Sequence, residues 1–277
     1  MSPLEFTLIL LAISWFAGLF GSLVGLGGGV VIVPVLTVIF HIDIRLAIGA
    51  SIISVIATSS GAAASYVKDR MTNLRAGMFL EIATTTGALS GAFLTSYLPE
   101  KFLFILFAVV LTYSGIAMYT QKHHGALLTV SNDRIANSFN LHGSYVDKAT
   151  NELVEYKVAR TRVGLALMYV AGMVSALLGI GSGALKVPAM DLAMHIPIKA
   201  SSATSNFMIG VTAAASAGVY FARGDIDPVL AAPIAIGVLA GALVGSRLLA
   251  KLNSETIKLL FLAALAAVAI EMFIKGV

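Results

Sequence analysis

Cysteine and charge are what this sequence has least of. Its 277 residues include no Cys, and only 12% are Asp, Glu, Lys or Arg, whereas about a quarter of the residues of an average soluble protein are charged. The absence of Cys excludes disulfides and thiolate metal sites. The net charge of +4 is not concentrated in a basic block interleaved with aromatic residues, so nucleic acid is not an expected partner.

Apolar length is what the sequence has instead. Hydrophobic residues make up 58% of the chain, the mean hydropathy is +0.93, and several windows have the roughly 20 apolar residues that cross a bilayer as a helix. Runs such as 102–110 are continuously apolar and do not alternate, which favours helices over membrane barrel strands. Residues 1–5 lack a basic region, so we expect the segment from Leu4 to be a retained helix. These features predict an all-α, multi-pass membrane protein.

A glycine-rich stretch at residues 24–34 occurs a second time at residues 178–188. The offset between their prolines is 154 positions (188 − 34), and it holds without a gap over much of both halves. The same offset pairs His41 with His195, Ser51 with Ser205, Tyr66 with Tyr220 and Gly87 with Gly241. A fixed offset of this kind indicates an internal duplication.

Each half divides into five apolar segments, which predicts about ten helical segments in total. We expect a first membrane repeat at 1–120, a polar connector at 121–162 and a second membrane repeat at 163–277. The predicted segments are 4–24, 30–40, 46–67, 76–98 and 102–120 in the first half, and 163–178, 184–194, 200–221, 228–250 and 256–273 in the second.

The second segment of each half is short and follows the glycines. Eleven residues at about 1.5 Å each cannot cross a core of about 30 Å alone. If these segments count as crossings, the halves are inverted and thirteen of the 18 Lys and Arg residues lie inside against four outside. If they re-enter the same face, the halves are parallel and the count is eleven to six. The positive-inside rule favours two inverted five-segment repeats.

The connector contains a small polar β-hairpin in our interpretation. Residues 140–147 and 152–158 are predicted strands, and residues 148–151 form a four-residue turn. The connector either lets the halves dock or serves as a regulatory or partner-binding element.

The glycine-broken segments are the first candidate site. Glycine permits a tight path and close approach, and a helix that begins after the break directs N–H groups and a positive dipole end into it. Two copies in short segments are typical of a transporter's binding site, although small residues also serve helix packing. The substrate-binding candidates here are Gly27, Gly28, Gly29, Gly181, Ser182 and Gly183.

Lys186 is the second candidate, because it lies in the middle of a short apolar segment where its counterpart is Ile32. A cation there costs about 2.5–3.5 kcal/mol on insertion scales, so it either pairs or faces an aqueous path. It attracts an anion in one interpretation, and it pairs with Asp191 in the same segment in the other.

Polar residues that enter the bilayer after the short segments are the third candidate. Thr204, Ser205 and Asn206, with Ser51 as a weaker candidate, offer hydrogen bonds to an oxyanion, but such groups also bond back to their own helix or join helices together. Glu81 and Glu271 could carry protons, but both are interpreted as ordinary residues near helix ends. His41 and His195 have no further ligands, so no metal or other cofactor is expected, and no constellation indicates an enzyme.

The two glycine motifs with their prolines, together with Ala-Thr-Ser-Asn-Phe at 203–207, resemble the sulfite exporter TauE/SafE family of membrane permeases. The resemblance covers both halves. It implies movement of sulfur-containing anions, such as sulfite, sulfoacetate or other organosulfonates, across a bacterial-type plasma (inner) membrane. It carries over onto the six candidates of the glycine motifs and onto Pro34 and Pro188. Ser182 departs from the glycine of the first motif and adds a hydroxyl.

We therefore expect a secondary transporter that works by alternating access. Its expected partners are a small anion, the lipid bilayer and a coupling proton or sodium ion. The alternative is a membrane scaffold or assembly factor whose central hairpin binds a partner. The sequence specifies neither the direction of transport nor the oligomeric state.

Overall fold

The structure, a computed structural model, describes residues 3–24, 27–68, 70–120, 133–147, 150–249 and 254–276. It is mostly helical, with one two-stranded antiparallel sheet in the described chain. The elements are α1 (Pro3–Val24), α2 (Gly29–Pro34), α3 (Ile44–Lys68), α4 (Leu74–Thr95), α5 (Glu100–Thr120), α6 (Arg134–Ser138), β1 (Gly143–Asp147), β2 (Glu152–Tyr156), α7 (Thr161–Leu178), α8 (Gly183–Pro188), α9 (Ile198–Arg223), α10 (Pro228–Leu249) and α11 (Ser254–Gly276).

The helix bounds follow the repeat in the sequence. Adding 154 to the bounds of α2 gives those of α8, and the same addition moves the starts of α3, α4 and α5 onto those of α9, α10 and α11. By length and composition, four helices in the described part of the chain can cross a membrane: Leu4–Leu23, Ile44–Lys68, Thr161–Leu178 and Pro228–Leu248. The helices α4, α5, α9 and α11 have 22, 21, 26 and 23 residues, which is also a spanning length.

The two short segments end in the same way, and proline is the reason. Pro34 and Pro188 close α2 and α8, and five-residue π-helical turns follow at Val35–Ile39 and Ala189–Ala193. Proline lacks an N–H group and its ring displaces the preceding carbonyl, which disturbs the normal ladder. The chain then turns at His41 and His195, which have φ values of 52° and 60°. The predicted eleven-residue length is confirmed for 29–39 and 183–193.

The two halves are held together by helix pairs that each contain one helix from either half. Helix α1 of the first half packs along α10 of the second, and α7 packs along α4. Glycines make both contacts close: an added Cβ at Gly241 would collide with the backbone of Trp15, and one at Gly87 would collide with the backbone of Tyr169. Gly241 and Tyr169 are the repeat counterparts of Gly87 and Trp15. Small residues that admit a neighbouring backbone are typical of membrane helix contacts.

The contacts also give the directions of the central helices. Gly49, near the start of α3, contacts Asp225 just after α9, whereas Ser59 further along α3 donates to the Asn206 carbonyl in the first half of α9 (2.5 Å). Helices α3 and α9 therefore run antiparallel, although they are counterparts in the repeat. Gly49 also lies near Ile226, just before α10 begins, and Gly61 further along α3 lies against Leu239 in the middle of α10. Helices α3 and α10 therefore run in the same direction.

The connector forms the predicted hairpin. Strands β1 and β2 pair antiparallel, with Gly143 opposite Tyr156 and Asp147 opposite Glu152. Both strands are shorter than predicted, because beyond the ladder the N–H of Val158 donates to the His142 side chain (3.1 Å) instead of to a backbone carbonyl. Residues 148–149 of the predicted turn and 121–132 of the connector lie outside the described residues.

The hairpin is docked on the ends of two helices. Asp147 accepts a hydrogen bond from the buried ammonium group of Lys199 at the start of α9 (2.6 Å). Asn73, which caps α4, donates from its side chain to the Leu141 carbonyl (2.7 Å) and to the Tyr156 hydroxyl (3.1 Å). Burial raises the pKa of Tyr156 to about 12, against a smaller lowering by the Asn73 hydrogen bond. The described hairpin is thus packed against the ends of α4 and α9.

Candidate functional site

The first glycine break, which separates α1 from α2, lies against α3. Gly27 has a φ of 74°, a conformation that glycine adopts at no steric cost. The N–H of Gly28 donates to the Thr58 hydroxyl of α3 (3.2 Å). An added Cβ at Gly29 would come within 2.5 Å of Ser51 Oγ. Ser54 Oγ is buried and has no hydrogen-bond partner in the described part of the chain. The break is therefore lined by hydroxyl groups as well as by its own backbone.

The second break, between α7 and α8, follows the first at one residue and departs from it at the next. Gly181 has a φ of 74°, like Gly27. Ser182 is held in the left-handed region at a φ of 58°, whereas its counterpart Gly28 is right-handed with a φ of −63°. Its hydroxyl donates to the Gly181 carbonyl (2.7 Å), and its own carbonyl accepts from the N–H groups of Leu185 and Lys186 (2.9 and 2.8 Å), which begins α8. The extra hydroxyl of Ser182 is thus used within the turn.

The two breaks touch each other. Ser51 of α3 donates to the carbonyl oxygen of Gly179, the left-handed residue (φ 66°) that ends α7 (2.6 Å). An added Cβ at Gly29 would collide with the same carbonyl. The candidates Gly29 and Ser51 of the first half therefore lie at the entrance to the second break. Gly183 begins α8 two residues beyond Gly181.

A buried cluster, which we call the charged triad, joins three helices beside the second break. It consists of Lys186 in α8, Thr212 in α9 and Glu81 in α4. Lys186 Nζ donates to Thr212 Oγ1 (2.7 Å), and that hydroxyl donates to Glu81 Oε1 (2.6 Å). Lys186 Nζ lies 3.7 Å from Glu81 Oε2, and the two side chains are 0% and 10% exposed. The opposite charges and the shared hydroxyl allow both groups to be buried.

Sequence reasoning missed two members of the triad. Glu81 was interpreted as an ordinary residue near a helix end, but it is buried in the body of α4 and faces Lys186. Thr212 was not considered, although it is the repeat counterpart of Thr58, which contacts the first break. In the structure Lys186 forms its ion pair with Glu81, whereas Asp191 was the partner considered from the sequence.

The three polar candidates of α9 lie apart from the triad. Thr204 precedes Thr212 by eight residues, about 12 Å along a helix, and its hydroxyl accepts from the N–H of Asn73 (3.0 Å). Asn206 donates to the Ser22 carbonyl of α1 (2.9 Å), while its Oδ1 atom accepts no hydrogen bond from the described residues. Ser205 is fully buried. Thr204 and Asn206 thus bind α9 to its neighbours.

The remaining candidates are metal-ligating side chains and the carboxylates that could carry protons. Within the described ranges, His, Asp and Glu side chains do not gather in a group of three that could hold a metal ion. Glu271 is exposed on α11, in contrast to Glu81.

These features define a class: a helical membrane protein built from a duplicated unit, whose two glycine-broken short helices meet beside a buried ion pair. The model of the sulfite exporter TauE/SafE family matches residues 10–272. The chain therefore belongs to the sulfite exporter TauE/SafE family of membrane transporters.

Several curated relatives cover nearly the whole chain. The Bacillus subtilis (strain 168) protein named "Probable membrane transporter protein YunE" is 25% identical over 97% of this chain and 98% of its own. "Probable membrane transporter protein YdhB" from the same strain is 24% identical over 87% and 89%. "Probable membrane transporter protein MJ0441" of Methanocaldococcus jannaschii is 23% identical over 96% and 95%. No solved structure gives a significant match.

Proposed function

We propose that this protein is a secondary transporter that moves sulfur-containing anions, such as sulfite, sulfoacetate or other organosulfonates, across the plasma membrane by alternating access. The single observation that carries the proposal is the fully buried ammonium group of Lys186 beside the second glycine break. Burying a cation within a membrane segment costs free energy, and residues of this kind typically mark the path of an ion or a substrate. The family supplies the class of anion.

The proposed architecture is a multi-pass bundle of two inverted five-segment repeats, with the repeats at 1–120 and 163–277 and the connector at 121–162. Two observations support it. Counterpart helices α3 and α9 run antiparallel, as inversion requires. In the inverted arrangement thirteen basic residues lie inside and four outside. The broken segments of inverted repeats form the binding site in many transporters.

The proposed anion site lies where the breaks meet. Lys186 supplies the charge, and the backbone of the candidates Gly27, Gly28, Gly29, Gly181, Ser182 and Gly183 shapes the space. Ser51 holds Gly179 in place. We assign Thr204, Ser205 and Asn206 to positioning α9, since the contacts of Thr204 and Asn206 are with α4 and α1. Rocking of one repeat against the other would expose this site to each side in turn.

One observation favours the second candidate function, a membrane scaffold or assembly factor. Val146 and Leu153 face each other across the hairpin and are 50% and 62% exposed, which is a small apolar surface of the kind that binds a partner. This function requires the hairpin surface and not Lys186, so Val146→Ser with Leu153→Ser would abolish it.

Reconstitution in liposomes tests the proposal. Uptake of sulfite, thiosulfate, sulfoacetate, taurine, sulfate, phosphate and acetate is measured for the wild type, for Lys186→Met and for the control Lys101→Met, which removes an exposed cation at the start of α5. We expect selective uptake of sulfur oxyanions by the wild type and the control, and at least about a tenfold loss for Lys186→Met. Equal uptake by all three proteins would refute the site, and no uptake of any solute by folded protein would refute the transporter.

A further inference from the structure

In the charged triad, one carboxylate oxygen of Glu81 has no hydrogen-bond donor among the described residues. Glu81 Oε1 accepts from the hydroxyls of Thr212 (2.6 Å) and Thr85 (3.1 Å). Glu81 Oε2 is buried and accepts no hydrogen bond from any described residue, and its nearest cation is Lys186 Nζ at 3.7 Å. That distance is longer than a charge-assisted hydrogen bond. Within the described ranges, the charge of Lys186 is therefore what stabilises this carboxylate oxygen.

The pair joins the two halves of the protein, and it exists at only one of the two breaks. The counterparts of Lys186 and Glu81 at the 154-residue offset are Ile32 and Ala235, whereas the hydroxyl position is kept as Thr58 and Thr212. Both charges are thus replaced together by apolar residues at the positions that the repeat relates to them. Packing of the duplicated unit does not require the charges, because the same fold holds without them at the other break.

Lys186 is the charged group that faces Glu81. The helices packed along α4 are α7 and α9, and their titratable side chains in the described residues are engaged elsewhere or exposed. Lys199 pairs with Asp147, Arg223 with Asp225, Tyr169 bonds with Ser90, Tyr220 with the Ala176 carbonyl, and Arg162 is exposed. Among the described residues, Lys186 is thus the one cation that compensates the charge of Glu81.

A substrate anion and Glu81 compete for that partner. If an anion binds Lys186 Nζ, the site holds two negative charges and one positive charge in a region with little water. Burial of an uncompensated carboxylate is strongly unfavourable, and such a group takes up a proton instead. A proton on Oε2 restores neutrality, and it occupies the oxygen that lacks a hydrogen-bond donor.

We propose that Glu81 is a proton-binding site that couples anion transport to proton movement; the inference rests on the proposed function of Lys186 as the anion site. The proton comes from the water on the side where the anion enters and binds Oε2 as the anion displaces the carboxylate. When the anion leaves on the other side, the proton leaves too and the ion pair with Lys186 forms again. One monoanion and one proton therefore move in the same direction, with no net charge.

The test is anion binding to purified protein at several pH values. Methanesulfonate is the probe because its charge is constant over this range, unlike that of sulfite. For the wild type we expect at least about tenfold tighter binding at about pH 6 than at about pH 8. For Glu81→Gln, which has no competing charge, we expect tight binding at both pH values. The matched control Glu271→Gln removes an exposed carboxyl group and should keep the wild-type pH dependence.

The possible outcomes separate this inference from the proposed function. Wild-type binding that does not change with pH overturns the proton site, and this result does not depend on any variant folding. A Glu81→Gln protein that keeps the pH dependence also overturns it. If neither methanesulfonate nor any other sulfur oxyanion binds at either pH, the proposed anion site itself is wrong. In liposomes, the proton site predicts uptake driven by an inward proton gradient in the wild type and loss of that response in Glu81→Gln.

Discussion

Breaking the ion pair between Asp147 and Lys199 should undock the hairpin from the membrane bundle. The pair is short, with 2.6 Å between Lys199 Nζ and Asp147 Oδ1, and the side chains are 0% and 10% exposed. Asp147→Asn keeps an oxygen that accepts from Lys199 but removes the negative charge. Lys199 then remains buried as an uncompensated cation.

The magnitude follows from the geometry. At 2.6 Å and an effective dielectric constant of about 20, the direct attraction is about 6 kcal/mol. Removal of one partner of a buried pair typically costs about 3–5 kcal/mol, and the retained hydrogen bond places Asp147→Asn near the lower end. At about 2–4 °C per kcal/mol for a chain of this size, a loss of about 3 kcal/mol lowers the Tm by roughly 6–12 °C.

The assay is the fraction of protein that stays monodisperse in detergent after heating, because a chain without Cys does not react with thiol dyes. The double variant Asp147→Asn, Lys199→Met is the control, since it removes both charges and should recover most of the lost stability. A Tm change below about 2 °C in the single variant, or a double variant less stable than the single one, would refute the reasoning.

Three further predictions concern other parts of the structure. Gly29→Ala should abolish transport, because the added Cβ forces the two glycine breaks apart at the Gly179 carbonyl. The control is Gly218→Ala, whose added Cβ meets nothing within 4 Å and which should be neutral or stabilise α9 by up to about 1 kcal/mol. Equal uptake rates of the two variants in liposomes would contradict this prediction. Thr212→Val should destabilise the protein by about 1–3 kcal/mol, because it leaves both charged members of the triad short of a hydrogen bond, and an unchanged melting temperature would contradict the shared hydroxyl. Because the pKa of Tyr156 is raised to about 12 from an unfolded value near 10, its contribution to stability is complete below about pH 10 and is lost as the pH rises to about 12; ultraviolet titration against Tyr156→Phe should show this late phenolate.

The repeat made the helices predictable. The offset that relates the glycine stretches also relates the helix starts, because each half folds by the same local signals: glycines, then a proline, then a long apolar helix. The eleven-residue short segments were predicted for the same reason. The strands of the hairpin were predicted too long, since the pattern does not show that the His142 side chain replaces a ladder partner for Val158.

Only part of the charged triad could be predicted from the sequence. Lys186 is conspicuous because a charge interrupts an apolar segment. Glu81 is not, because its partner lies in another helix, and the sequence does not tell which helices α4 packs against. The docking of the hairpin could not be predicted for the same reason, since Lys199 and Asp147 appear in sequence as an ordinary helix-start cation and an ordinary strand-end carboxylate.

The packing of helices from one half against helices of the other has a consequence for the synthesis of the protein. Helix α1 is the first described helix to be synthesised, yet it packs along α10, which starts about 200 residues later. At about 5–20 residues per second, α1 waits on the order of 10 to 40 s in the bilayer before its partner is made. Helix α7 finds α4 already present. The α4–α7 contact is therefore available first during synthesis, and the two equivalent interfaces of the finished protein are assembled in a fixed order.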